Sequence, residues 1–320
     1  AAAWSNRGAA LGSLGRYEEE LEAYDRALAV EPENAATWSN RGAALGRLER
    51  HEEAIEAYDR VLAVDPEDAA AWSNRGAALG SLGRYEEELE AYDRALALDP
   101  DNTVILLSRG LAYRRFKRPQ EAVGDLQKAI SLGVQRVFAR TALVELLLGS
   151  LKHPAEALMA ARDAIEWSGG SAEVLNAMAW AFFEHGSRED LGEAEAWAHR
   201  AVEQNPEGGY YRHTLACLLG VRGKWRDALE QAAAFLNDRE MLARDLDEVI
   251  DFFVDAVAAG NGGEVLRVIQ TAGAEEALEP LVVAIRLMNG AQIDVAREIV
   301  EVAKDVAQRI EERRAAVQAD

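Results

Sequence analysis

The string Trp-Ser-Asn-Arg-Gly-Ala-Ala-Leu-Gly starts at Trp4, at Trp38 and at Trp72, each 34 residues after the last. Residues 1–34 and 69–102 differ only at Val30/Leu98, Glu31/Asp99 and Glu33/Asp101. A period of this length marks one supersecondary unit copied and stacked, because each copy can bury its apolar face only against its neighbours. The repeat thus decides between two ordinary domains and one extended array, a choice that the length of 320 residues leaves open.

Within a repeat, Trp4, Gly8, Leu11 and Leu14 recur at helical spacing, and past the Gly15-Arg16-Tyr17 break Leu21, Tyr24, Ala27 and Leu28 do so again. Each repeat therefore reads as a hairpin of two helices, A and B. Glu18, Glu19 and Glu20 fall in the first turn of helix B, where carboxylates offset the positive end of the helix dipole. Pro32, Pro66 and Pro100 stop it. Helices of about 14 residues are marginal alone in water, so stacking on neighbours supplies the missing burial.

These residues resemble the tetratricopeptide repeat family, in a prokaryotic-type array. Trp4, Gly8, Tyr24, Ala27 and Pro32 match its pattern, whereas Arg7 replaces a Leu, Leu11 a Tyr and Glu20 an Ala; Ala54 restores the last in the second repeat. The resemblance implies an all-α fold, an α-solenoid of stacked helix hairpins wound as a right-handed superhelix. Gly8 and a small twentieth residue let the two helices approach closely. Glu20 and Glu88 are accordingly expected to point partly outward and to loosen the first and third repeats.

Three regular repeats thus fill residues 1–102, and four divergent ones follow over 103–236. The fourth carries Gly110, Tyr113, Phe116, Ala122, Leu126 and Ala129, and the fifth Leu148, Leu151, Ala157, Ala161 and Ala164. Pro119 and Pro154 open their B helices, where a missing N–H is harmless. The sixth runs from Leu175 to Pro206 with about three extra residues near Ser187–Leu191, and the seventh holds Leu215, Ala216, Leu219, Trp225, Ala228 and Leu229. Over 237–320 the repeat fades while helical periodicity persists, broken at Gly260, Gly273 and Gly290. A last amphipathic helix with Val295, Ile299, Val302, Val306 and Ile310 on one face is expected to cap the array; self-association is its alternative role.

The formal charge of -21 repels phosphate backbones, which argues against nucleic acid. No apolar run approaches the roughly 20 residues of a membrane-spanning helix. A lone cysteine, Cys217, cannot form an internal disulfide and fits a cytoplasmic setting. It shows no nearby base and reads as a buried small residue. The five histidines are scattered, and none makes the i, i+4 pair with a Glu that a helical zinc site would show. No glycine-rich phosphate loop is present. No catalytic residue, cofactor or metal is therefore expected, and the chain reads as a non-enzyme.

In the resembled family, the A helices line a concave groove that holds peptides or partner helices. Carried over, the groove positions include Ser5, Asn6 and Ala9, then Ser39, Asn40 and Arg47, then Ser73 and Asn74, with Arg114 and Arg115 in the fourth repeat. The asparagines either bond an extended ligand's backbone or tie helix to helix. Arg109, Arg114, Arg115, Lys117 and Arg118 form a basic helix in an acidic chain, which either neutralises its neighbours or receives an acidic ligand. The expected function is a scaffold binding a protein or peptide partner through the groove. The alternative is the sensor or regulatory C-terminal region of a larger prokaryotic signalling or defence ATPase or other effector enzyme. A chain that opens inside a repeat, with no initiator Met, fits a piece of a longer protein.

Overall fold

The computed structural model describes residues 1–236, 244, 246–274, 277–289 and 297–319; among these every regular element is helical. Packing divides the chain into two bodies, residues 1–146 and 147–320.

In the N-terminal body, α1 (Ala2–Ser13) and α2 (Tyr17–Val30) form the first hairpin, α3 (Ala35–Arg47) and α4 (His51–Val64) the second, α5 (Ala69–Ser81) and α6 (Tyr85–Leu98) the third, and α7 (Thr103–Arg115) and α8 (Pro119–Ser131) the fourth. α9 (Val137–Glu145) packs on α8. Each B helix also lies against the A helix of the next repeat, and successive A helices pack more closely than successive B helices do. The A helices therefore line the inner, concave face.

Local chemistry sets the hairpins. Asn34, Asp68 and Asn102 cap α3, α5 and α7, each side-chain oxygen accepting a backbone N–H two or three residues on. At the A–B turn the chain passes through the left-handed region at Gly15 and Gly83. The amide of Arg16 then reaches back to the Leu11 carbonyl at 3.0 Å, and that of Arg84 to Leu79 at 3.0 Å, closing the last helical turn. Close approach inside the hairpin rests on Gly8 and Gly42, where a Cβ would stand 2.6 Å from the Tyr24 ring and 2.8 Å from the Tyr58 ring.

The tryptophans are packing residues. Trp38 and Trp72 lie partly buried against the core around Tyr24, Leu45, Tyr58 and Leu79. Their indole N–H groups donate to the carbonyls of Pro32 at 2.7 Å and Pro66 at 3.0 Å, pinning helix A to the turn that precedes it. The departure at the seventh position acquires a reason here. Arg41 lies over Trp38 and bonds Asp25 of the preceding repeat at 2.8 Å, and Arg75 lies over Trp72 and bonds Asp59 at 2.7 Å. Arg109 continues the ladder to Asp93 at 2.7 Å and also holds Asp125.

In the C-terminal body, α10 (Pro154–Trp167) packs on α11 (Ala172–His185), which pairs with α12 (Leu191–Gln204), and α13 (Gly209–Val221) pairs with α14 (Trp225–Phe235). Beyond them stand α15 (Leu246–Ala256), α16 (Gly262–Thr271), α17 (Glu279–Met288) and α18 (Arg297–Ala319). The last helix covers α15 and α17, burying Ala303, Val306 and Ile310, and Arg309 and Arg313 bond Asp251 and Asp255 on α15. It is a helical cap, with one correction: Val302, expected in the apolar stripe, is 52% exposed, because the buried face turns through Ala303. Val295, Gly290 and the side chain of Ile299 lie outside the described residues. No described helix is long and apolar enough to cross a membrane.

Candidate functional site: the concave face of the N-terminal body

Asn6, Asn40 and Asn74 are exposed at equivalent places on α1, α3 and α5, and none of the three side chains has a hydrogen-bond partner among the described residues. They do not tie helix to helix. Ser5, Ser39 and Ser73 beside them are partly buried, and the hydroxyl of Ser5 lies 3.4 Å from that of Thr37. Ala9 is exposed. The result is a ladder of free amides, each with two donors and an acceptor, on a wall of small residues.

Glu20 and Glu88 correct the sequence reading: they point inward and are only 2% and 1% exposed. The space each carboxylate fills is left by a second glycine of helix A. A Cβ at Gly12 or at Gly80 would stand 2.5 Å from the carboxylate, whereas Gly46, opposite Ala54, faces open space. Burial of a carboxylate requires a partner, and the next repeat brings one 27 residues on. Arg47 bonds both oxygens of Glu20 at 2.8 and 2.9 Å, and Arg115 bonds Glu88. Ala54, which needs no partner, has Ser81 in that place. Gly80→Ala should therefore cost about 1 to 3 kcal/mol through overpacking. Gly46→Ala should be neutral or stabilising, since it adds a better helix former in open space; equal denaturation midpoints for the two variants would contradict this account.

The two buried carboxylates are not equally satisfied. Glu20 also accepts the Tyr24 hydroxyl at 3.1 Å. In the third repeat Ser108 stands where the second repeat has Asn40, the matching Tyr92 makes no hydrogen bond to Glu88 among the described residues, and one oxygen of Glu88, Oε2, is left buried without a partner. Burial pushes the Glu88 carboxyl above the ordinary carboxylate range, against the opposing pull of Arg115, and burial likewise pushes Tyr92 up to about 12.

A pocket of about 600 Å³ opens over Glu88 and Tyr92 between α5 and α7, walled by Ser81, Ser108, Leu111, Arg115 and the 46%-exposed Phe138. Arg114 also lines it and bonds Glu145 at 2.6 Å. The basic cluster does not share one helix, since α7 ends at Arg115, Lys117 lies in the turn and Arg118 precedes α8; its arginines are paired with neighbouring helices, Arg109 with Asp93 and Asp125 and Arg118 with Glu121. Of the sequence-derived groove residues, the structure gathers Arg114 and Arg115 at this pocket, sets Arg47 on Glu20, and leaves the asparagines in a row. Glu88, Tyr92, Leu111 and Phe138 were missed. The matched pair of a glutamate and an arginine 27 residues later is the signal that could have shown the first.

Two further readings are corrected in the C-terminal body. Cys217 does have a base nearby, with Sγ 3.5 Å from Nε2 of His213, but burial pushes its thiol far above the ordinary range, so no thiolate is offered. Glu195 and His199 do stand one turn apart, 3.8 Å from each other, but the Glu195 carboxylate is held by Arg222 and Lys224. No described group of His, Cys, Asp or Glu could hold a metal ion.

Two sequence profiles match the chain, a "Tetratricopeptide repeat" over residues 39–103 and a "TPR repeat" over residues 8–49. No curated protein matches it. Among solved structures it is similar to a tetratricopeptide repeat protein from Parabacteroides merdae, 18% identical, with a TM-score of 0.56 over 80% of this chain and 98% of that one. It is also similar to PilF of Pseudomonas aeruginosa, 21% identical, with a TM-score of 0.51 over 66% of this chain and 94% of that one. At such identities the likeness speaks for the fold alone. The repeated string, the hairpins stacked B on A, and the profile matches together show that residues 8–103 of this chain are tetratricopeptide repeats.

Proposed function

We propose that the chain is a protein-interaction scaffold whose concave N-terminal face holds an extended segment of a partner protein. The observation that carries this reading is the row of exposed, unbonded Asn6, Asn40 and Asn74 on the inner helices. Free amides repeated at a fixed interval suit the repeating N–H and C=O groups of an extended backbone, and the small residues around them leave room for it. The readable features of the described residues build a surface. The lone buried cysteine suits work in the reducing cytoplasm. The terminal helix has no part in this reading: its Ala303, Val306 and Ile310 are buried in its own body.

The test is a peptide-display selection against the intact chain, followed by affinity measurements on the selected peptides. Asn40→Ala together with Asn74→Ala should weaken binding at least tenfold and leave the melting temperature within about 2 °C of the parent, since surface changes of this kind stay within about 0.5 kcal/mol. Unchanged affinity for every selected peptide would defeat the reading.

A further inference from the structure

Helices α1 and α5 are flanked by near-identical B helices, so the Glu20 and Glu88 sites amount to one arrangement seen twice. The first is closed: Tyr24 and Arg47 between them engage both oxygens of Glu20. The second is incomplete. Tyr92 makes no hydrogen bond to Glu88 among the described residues, Arg115 holds only one oxygen of Glu88, and the other is buried without a donor beneath the pocket. The walls change in step. Where α3 presents Asn40 and Ala43, α7 presents Ser108 and Leu111, and Phe138 adds an exposed ring.

We propose that this pocket takes the side chain of a tyrosine from the bound partner, its ring against Leu111 and Phe138 and its hydroxyl donating to Glu88. The inference rests on the groove reading above and names its anchoring subsite. Three observations select the ligand. The missing component of the Glu88 site is a hydrogen-bond donor to its second oxygen, and the closed copy shows, in the Tyr24 hydroxyl on Glu20, that this carboxylate accepts a phenol beside its arginine. Charge balance disfavours an ionised group, since Arg115 is matched by Glu88 and Arg114 by Glu145; an acidic tip would meet the Glu88 carboxylate and a basic tip the two arginines. The apolar wall of Leu111 and Phe138 suits a flat ring, and about 600 Å³ is ample for one. Arg115, 51% exposed and anchored by one amino group, is the movable wall: its free end turns aside and uncovers the carboxylate as the phenol enters.

The experiment titrates the isotope-labelled full chain with N-acetyl-tyrosinamide, N-acetyl-phenylalaninamide and N-acetyl-glutamate, following the Leu111 methyl and Phe138 ring resonances. The tyrosine probe is expected to bind at this pocket at least tenfold more tightly than the phenylalanine probe, with the acidic probe weakest. The double variant Glu88→Ala, Arg115→Ser installs the pair already found at Ala54 and Ser81, so it should fold, and in it the preference for tyrosine should fall below twofold. Tyrosine and phenylalanine probes binding equally at the pocket would overturn the tyrosine assignment and leave the groove reading standing. Tightest binding by the acidic probe, or a preference that survives in the double variant, would overturn it as well. If no probe moves any resonance of the concave face, the pocket and the groove reading both fail.

Discussion

Arg115→Ala is expected to lose about 2 to 3 kcal/mol of stability at neutral pH. Removing one partner of a buried pair leaves an uncompensated charge, and the loss lies at the low end of that range because Arg115 is itself half-exposed. Glu88 has no second donor to fall back on, whereas Glu20 keeps the Tyr24 hydroxyl when Arg47 is removed. Arg47→Ala should therefore cost visibly less than Arg115→Ala. The pH dependence follows from the raised Glu88 carboxyl. A carboxyl raised in the folded state binds protons more readily there than in the unfolded chain, so its folded form gains as pH falls toward the ordinary carboxylate value and loses as pH rises through the raised one. Removing the arginine takes away the influence that opposes the rise. The gap between Arg115→Ala and the parent should be widest near pH 7 and narrow toward pH 5, read from urea midpoints. A gap that does not change with pH would mean that the arginine acts through packing alone.

Trp38→Ala should cost about 3 kcal/mol, the lower end of the range for large-to-small core changes, because the ring is only partly buried. The loss has separable parts. Trp38→Phe restores most of the contact with the core and gives up the bond from the indole N–H to the Pro32 carbonyl, so it should cost about 1 kcal/mol. Chemical denaturation of both variants checks the order. A Trp38→Ala protein that melts with the parent and fails to bind a selected peptide would make the ring a recognition residue and refute the packing role. The middle repeat is the informative place for this change, since α3 is covered on one side by α2 and on the other by α4.

The repeat made much of the fold legible. A period of 34 with Gly and Pro at fixed offsets specifies hairpins whose apolar stripes close only by stacking, and the helices of the regular repeats fall where that pattern puts them. The groove positions of α1, α3 and α5 could be named for the same reason: once helix A is known to face inward, spacing fixes which residues it shows. Periodicity could not settle the polar residues at the seams. Glu20 and Glu88 read as misfits beside their own helix, and only stacking reveals that the next repeat delivers Arg47 and Arg115 to them, that Gly12 and Gly80 make room, and that Arg41 and Arg75 reach back to Asp25 and Asp59. Whether an asparagine is free or bonded, and whether an arginine is spent or available, was likewise decided by neighbours brought close in space. Hydrophobic spacing along one helix reports which face is buried, because that follows from 3.6 residues per turn. The fate of a buried charge depends on the one donor that tertiary packing sets against it, and that partner lies on another helix in a register the single chain does not announce.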